Sequence, residues 1–171
     1  DIDEIIVVIS VNNQKEIIQA LRSYSFKKIK VFVLGGKRRQ DSVYNGLKKV
    51  SLKSDWVLIH DSARPFIDNK SISKVIQEAK KTGAAILGIP VKGGLVNKTV
   101  DRRNLWEIQT PQVFKKELIA KAYEKYSKEN VTDDASLIEK LGKRVKIVEG
   151  RSENIKITTS EDLLLAGVIA K

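Results

Sequence analysis

The chain has 171 residues, 42% hydrophobic and 31% charged, with a formal net charge of +11; this is the balance of one soluble domain large enough for a real core. It has no cysteine and one histidine, which excludes disulfides, thiolate metal sites and histidine-rich metal centres, so any metal must be a hard ion held by oxygen, with Mg²⁺ the expected one. No apolar run approaches the roughly 20 residues of a membrane span and nothing resembles a signal peptide, so we expect a cytoplasmic protein with no membrane partner. The lysines are spread along the chain, at Lys15, Lys48, Lys53, Lys80, Lys116, Lys121 and Lys128 among others, with only 6% aromatic residues. That pattern reads as a solvated surface rather than a nucleic-acid face. The sequence contains no methionine and opens on Asp1, with a strand pattern almost at once; the expectation is that an N-terminal part is missing.

Strand and helix patterns alternate. Ile5 to Ile9 form an apolar strand. Asn13, with Glu16 three residues on, resembles a capping box, and Ile17, Ile18 and Leu21 make a helical stripe. A second buried strand over Val31 to Leu34 ends in Gly35-Gly36. Val43, Leu47 and Val50 give a helical face, with Asp41 or Ser42 as its cap; Asn45-Gly46 is a possible hairpin turn, but its flanks do not alternate. A strand over 56–60 follows, then a helix from about Asn69 with Ile72, Val75, Ile76 and Ala79 on one face, closed by Gly83. Residues 84–91 read as a fourth strand. Residues 92–109 break the rhythm and read as a projecting β-arm or irregular excursion. Helices are expected over about 115–128 and 133–141, and short strands over 145–148 and 155–157. Thr159 or Ser160, with Glu161-Asp162, caps a last helix containing residues 163–169. Crossovers of this length imply a mostly parallel sheet with helices on both faces, in one α/β domain over 1–171.

The most informative stretch is HDSARPF, residues 60–66. It follows the apolar run Trp56-Val57-Leu58-Ile59, at the edge where open α/β sheets collect ligands. An Asp there can hold a metal ion and an Arg three residues on can meet a phosphate. Asp61 capping a turn and Arg64 as a surface charge is the alternative. Asp133 and Asp134 do not read as a catalytic carboxylate pair, because both fall in the first turn of a helix, where acids favour the dipole.

Five segments carry a resemblance: GGKRRQDSVYNGL (35–47), HDSARPF (60–66), TVDRRNLWEIQTPQVF (99–114), TDDASLIEKLG (132–142) and VEGRSENIKITTSEDL (148–163). In this order and spacing they resemble the 2-C-methyl-D-erythritol 4-phosphate cytidylyltransferases of the non-mevalonate isoprenoid pathway, over nearly the whole chain. The resemblance implies a Rossmann-like nucleotidyltransferase that joins CTP to a sugar-alcohol phosphate and releases pyrophosphate with Mg²⁺. It implies that Asp61 binds the metal, that Arg64 lies beside it in the pocket, and that Lys156 serves the reacting phosphates. It implies cytosine recognition by Gly35, Gly36 and Ser42, and substrate-phosphate binding by Arg102 and Thr110. Without the family, Gly35, Gly36 and Ser42 read as a tight turn, Lys156 as a solvated lysine, Arg102 as one charge in a run and Thr110 as the residue before Pro111.

The family's glycine-rich loop, which cradles the triphosphate, would precede Asp1, so residues 1–171 alone are expected to be inactive. The resemblance also implies a homodimer that exchanges the arm at about 92–103, here short and carrying Gly93-Gly94. HDSARP alone would also suit a ribitol-5-phosphate cytidylyltransferase. A basic nucleic-acid-binding module and a catalytically inactive scaffold fragment are the readings from other classes.

Overall fold

The computed structural model describes residues 2–91 and 101–171, apart from the side chain of Arg102. They fall into two compact units, one of residues 1–57 and 116–142, the other of residues 58–115 and 143–171, and each is described by itself.

In the first unit, β1 (Ile5–Ile9) and β2 (Ile29–Leu34) pair in parallel, from Ile6 opposite Val31 to Ile9 opposite Leu34. The helix between them, α1 (Gln14–Ser23), forms where the 3.6-residue stripe places it, but Asn13 makes no side-chain capping bond. Its backbone, at φ −115° and ψ 19°, is not in the extended region from which a capping side chain reaches back. The next helix, α2 (Arg39–Leu47), starts before the expected caps. Arg38 is its N-cap residue and Asp41 is the third helical residue, accepting from the Arg38 amide at 3.1 Å. Asn45-Gly46 lies inside this helix, not in a hairpin, and Val50 lies beyond its end. Helices α4 (Lys116–Tyr126) and α5 (Asp134–Lys140) pack together and bury Ile119, Ala122, Tyr123, Leu137 and Ile138. Side chains of this size contribute about 1.5–3 kcal/mol each on full burial.

In the second unit the strands run in the order β3-β5-β4-β6. Strand β3 is Trp56–Ile59 and β4 is Ala84–Pro90. The first four residues of β4 are apolar and buried, as expected of a strand covered on both faces. Helix α3 (Asn69–Thr82) lays Val75, Ile76 and Ala79 against this sheet. Asp68 caps it by accepting from the Ser71 amide at 2.8 Å, and Gly83 ends it at φ +86°, a left-handed conformation that favours glycine. Strand β6 (Lys146–Glu149) runs parallel to β4.

Two sequence expectations are corrected here. Residues 106–109 are not part of an irregular excursion: β5 (Trp106–Lys115) is a ten-residue strand antiparallel to β4, and the helix expected from about 115 follows it directly as α4. Its register slips where Ile86 pairs with Gln112 and Leu87 with Gln109, so Thr110 and Pro111 bulge from the ladder. Residues 155–157 form no strand. The last helix, α6 (Ser160–Ile169), is capped by Thr159 and Asp162 as read, but its leucines 163–165 are exposed and only Ala166 is buried. Arg102–Asn104 form one 3₁₀ turn; the rest of the expected arm, residues 92–100, lies outside the described residues. The parallel ladders β1–β2 and β4–β6, alternating with helices, make this an α/β fold.

Candidate active site

The second unit gathers Asp61, Arg64, Thr110 and Lys156. Asp61 follows β3 directly, where the strand hands over to the HDSARPF turn; the Arg64 amide closes this turn on the Asp61 carbonyl at 2.9 Å. Thr110 comes from the β5 bulge, and a bulge re-aims a side chain. Its Oγ1 accepts from the Asp61 amide at 3.0 Å and lies 3.0 Å from His60 Nδ1. His60 Nε2 is 3.1 Å from the Arg64 carbonyl. A carbonyl only accepts, so Nε2 carries the ring proton and Nδ1 is the acceptor. The Thr110 hydroxyl therefore donates to His60 while it accepts from Asp61. Burial pushes the His60 pKa below its ordinary value, against the opposing hydrogen bond to Arg64, in keeping with a neutral ring.

Lys156 reaches Asp61 from the irregular segment after β6. The Ile157 amide donates to the Ala63 carbonyl at 2.8 Å. Asn154 donates to the Thr110 carbonyl at 2.9 Å and to Gln109 Oε1 at 3.1 Å. These bonds hold the segment against the bulge and bring Lys156 Nζ to 2.8 Å from Asp61 Oδ2. The lysine side chain is 40% exposed and the carboxylate 16%, so the pair opens to solvent on the lysine side. Arg64 is 8% exposed. Its guanidinium donates to the Asn154 carbonyl at 2.7 Å and the Ile108 carbonyl at 3.4 Å, which ties the two chain segments together.

Gly35, Gly36 and Ser42 form a separate arrangement in the first unit. The Gly36 amide donates to Ser42 Oγ at 3.0 Å, and Ser42 Oγ donates to the Arg38 carbonyl at 3.3 Å. A Cβ on Gly35 would stand 2.8 Å from Ser42 Oγ, and one on Gly36 would stand 2.3 Å from Asp41 Cβ, so only glycine permits this approach. The Arg38 guanidinium beside Asp41 holds that carboxyl below the usual carboxylate range. The result is a folded turn with backbone groups near a helix N-terminus, suited to hydrogen-bonding a base edge or an anion.

The profile of the family described as "IspD: 2-C-methyl-D-erythritol 4-phosphate cytidylyltransferase" matches residues 1–171. The chain belongs to this family. A 2-C-methyl-D-erythritol 4-phosphate cytidylyltransferase from Dictyoglomus thermophilum is 44% identical, with 100% of this chain and 80% of that protein covered. One from Clostridioides difficile is 47% identical over 97% of this chain and 74% of its own length. Among solved structures, 4-diphosphocytidyl-2C-methyl-D-erythritol synthase from Anaerococcus prevotii superposes with a TM-score of 0.90 at 37% identity, covering 98% of this chain and 78% of that one. The expectation of a nucleotidyltransferase fold is thereby met.

Within this cytidylyltransferase, two further residues, His60 and Asn154, organise the site. His60 was read only as the lone histidine, although it sits beside Asp61 in the same motif. Asn154 lies two residues before Lys156 and is buried; its place at the head of the NIKIT motif, 154–158, is its one sequence signal. In the first unit, Asp134 is the first-turn acid that the sequence implies, and it is also buried, 1% exposed, and paired with Arg39.

Proposed function

We propose that the protein transfers the cytidylyl group of CTP to 2-C-methyl-D-erythritol 4-phosphate. A phosphate oxygen of the sugar-alcohol phosphate attacks the α-phosphorus of CTP. The bond to the bridging oxygen breaks, and pyrophosphate leaves with its electron pair. The observation that carries this reading is the Asp61–Lys156 pair, 2.8 Å apart beside Thr110, built from the segments that resemble the family's motifs. Such a transfer asks side chains for positioning and charge neutralisation rather than covalent chemistry. Lys156 places a cation against the reacting phosphates. Thr110 and Arg64 we assign as positioning groups: the hydroxyl of the one and the guanidinium of the other bond the protein itself, fixing Asp61 and the 154–157 segment. The backbone of Gly35 and Gly36 reads the cytosine in a turn that Ser42 holds closed. Arg102 meets the phosphate of the sugar alcohol.

Asp61 fits a magnesium ion. No cluster of three or more acids and histidines able to cage a metal exists among the described residues, and Mg²⁺ binds through one or two carboxylates plus substrate phosphates. When bound, it would neutralise charge on the phosphates.

We also propose a cytoplasmic homodimer assembled through residues 92–103; sedimentation of the protein with and without residues 93–99 tests this, and a dimer that survives the deletion moves the interface elsewhere.

The deciding experiment gives the complete protein CTP, Mg²⁺ and either 2-C-methyl-D-erythritol 4-phosphate or D-ribitol 5-phosphate, and follows pyrophosphate release. Release with the first substrate only is expected; preference for the second assigns the sister activity. Asp61→Asn should lower kcat by about 10²–10³-fold, the scale of a lost transition-state electrostatic contact. Near-normal turnover at saturating Mg²⁺ removes Asp61 from its role.

A further inference from the structure

The buried carboxylate of Asp134 has no part in the chemistry above, yet it is paired with Arg39, the first residue of α2, three residues after Gly36. Its Oδ2 accepts from Arg39 Nη1 at 2.8 Å, and its Oδ1 accepts from the Tyr123 hydroxyl at 2.5 Å. Tyr123 is itself buried and stacks on Tyr44 of α2, with centroids 5.4 Å apart and planes 7° from parallel. Tyr123 is held protonated: burial and the adjacent Asp134 carboxylate push its pKa up. Taking a carboxylate out of water is unfavourable, and a buried pair is best attested where it selects one arrangement over others.

What it selects here follows from the neighbouring bonds. Arg39 is flanked by Arg38 and Gln40, and both grip the connection between α4 and α5. Arg38 donates to the carbonyls of Ser127 at 3.1 Å and Glu129 at 3.4 Å. The Gln40 amide donates to the same two carbonyls at 3.1 and 2.6 Å, and its oxygen accepts from the Val131 amide at 3.0 Å. Three consecutive residues thus fasten the first turn of α2 to residues 127–134. The Gly35–Gly36 turn is tied to that same first turn: the Gly36 amide donates to Ser42 Oγ at 3.0 Å, and a Cβ on Gly36 would meet Asp41 Cβ.

We infer that Asp134 is a positioning residue for the nucleotide: through Arg39 and Tyr123 it sets the N-terminal turn of α2, and with it the backbone that receives the base. This rests on the reading of Gly35–Gly36 as the cytosine-recognition turn. It predicts an effect on nucleotide use separate from any effect on the sugar phosphate or the chemical step.

The test uses the complete protein with Asp134→Asn, Tyr123→Phe and the double variant Arg39→Gln/Asp134→Asn. Asp134→Asn should raise KM for CTP about tenfold or more, since small misplacements are costly, with kcat at saturating CTP and KM for the sugar phosphate within about twofold. Tyr123→Phe, which keeps the Arg39–Asp134 pair and serves if Asp134→Asn does not fold, should shift KM for CTP in the same direction by less. The double variant should be no worse than Asp134→Asn alone, because partners in one network are not additive. Amide hydrogen exchange should speed up about tenfold at residues 35–38 and stay unchanged in β4 and β5. Equal rises in both KM values, or a lower melting temperature with an unchanged KM for CTP, overturn the inference. If the wild-type protein does not use CTP at all, the functional reading fails by itself; the exchange measurement still decides the anchor, and unaltered exchange at 35–38 overturns it.

Discussion

The direction of each hydrogen bond around Asp61 is set by what its partners can do. The Arg64 carbonyl can only accept, which fixes the His60 proton on Nε2, which makes Nδ1 an acceptor, which turns the Thr110 hydroxyl toward His60. One of the two acceptor positions of Thr110 Oγ1 takes the Asp61 amide. Thr110→Val keeps the shape and removes both bonds, leaving a half-buried amide and a half-buried ring nitrogen without these partners. The expected destabilisation is about 1–3 kcal/mol, read as a lower urea midpoint at unchanged m. Thr110→Ser should recover most of it. If Thr110→Val is as stable as wild type while KM for the sugar phosphate rises, the hydroxyl serves the substrate and not the turn. Lys156 offers the opposite case: its half-exposed pair with Asp61 should matter little for stability, as exposed pairs do, and a large kcat loss on Lys156→Met at an unchanged urea midpoint would separate the two kinds of contribution.

At the scale of elements, what could be read from the sequence depended on whether local signal and tertiary role agreed. Helix α3 was legible from about Asn69 to Gly83, because the apolar stripe and the closing glycine act locally; the Asp68 cap is added by the structure. Strand β5 was not legible. Its middle is Gln109-Thr110-Pro111-Gln112, and a proline among polar residues argues against a sheet interior. The structure accommodates it because the register slips at Thr110-Pro111, where no ladder donor is needed, and because buried Gln109 accepts from the Asn154 amide and donates to the Arg151 carbonyl. The residues of the site were largely legible as motifs; their division of labour was not, since burial decides whether Arg64 and Thr110 face substrate or the protein. Cap chemistry gives this scale its pH dependence. Asp162 accepts from the amides of Thr158 and Thr159 and from the Thr158 hydroxyl. These bonds, the Thr158 amide foremost, hold its carboxyl below the ordinary 3.8. A depressed carboxyl stabilises the fold fully above the unfolded value and stops doing so as pH falls through the folded one. NMR titration should therefore show Asp162 protonating below that ordinary value together with fraying at the start of α6, and Asp162→Ala should fray it already at neutral pH. A helix start that does not respond to either change would remove the cap from the account.

For the molecule as a whole, 32 basic against 21 acidic residues leave +11. The proposed substrates are both strongly anionic, so the field favours their encounter with the protein wherever they first meet it. The charge is dispersed, with Lys15, Lys48, Lys53, Lys80, Lys121 and Lys128 scattered along the chain. A field of that kind steers small anions but does not make the aligned phosphate contacts that bind duplex nucleic acid tightly. Steering through solvent is screened within a Debye length of about 8–10 Å near physiological salt. Raising KCl from about 50 to 500 mM should then lower kcat/KM for CTP by about 3–10-fold. Salt acts on encounter, so kcat at saturating CTP should hold. Micromolar duplex DNA should not inhibit at the lower salt. A kcat/KM that ignores salt would mean that the surface charge does nothing for substrate capture. Strong inhibition by DNA, relieved steeply as salt rises, would instead show the lysines acting together as a nucleic-acid surface.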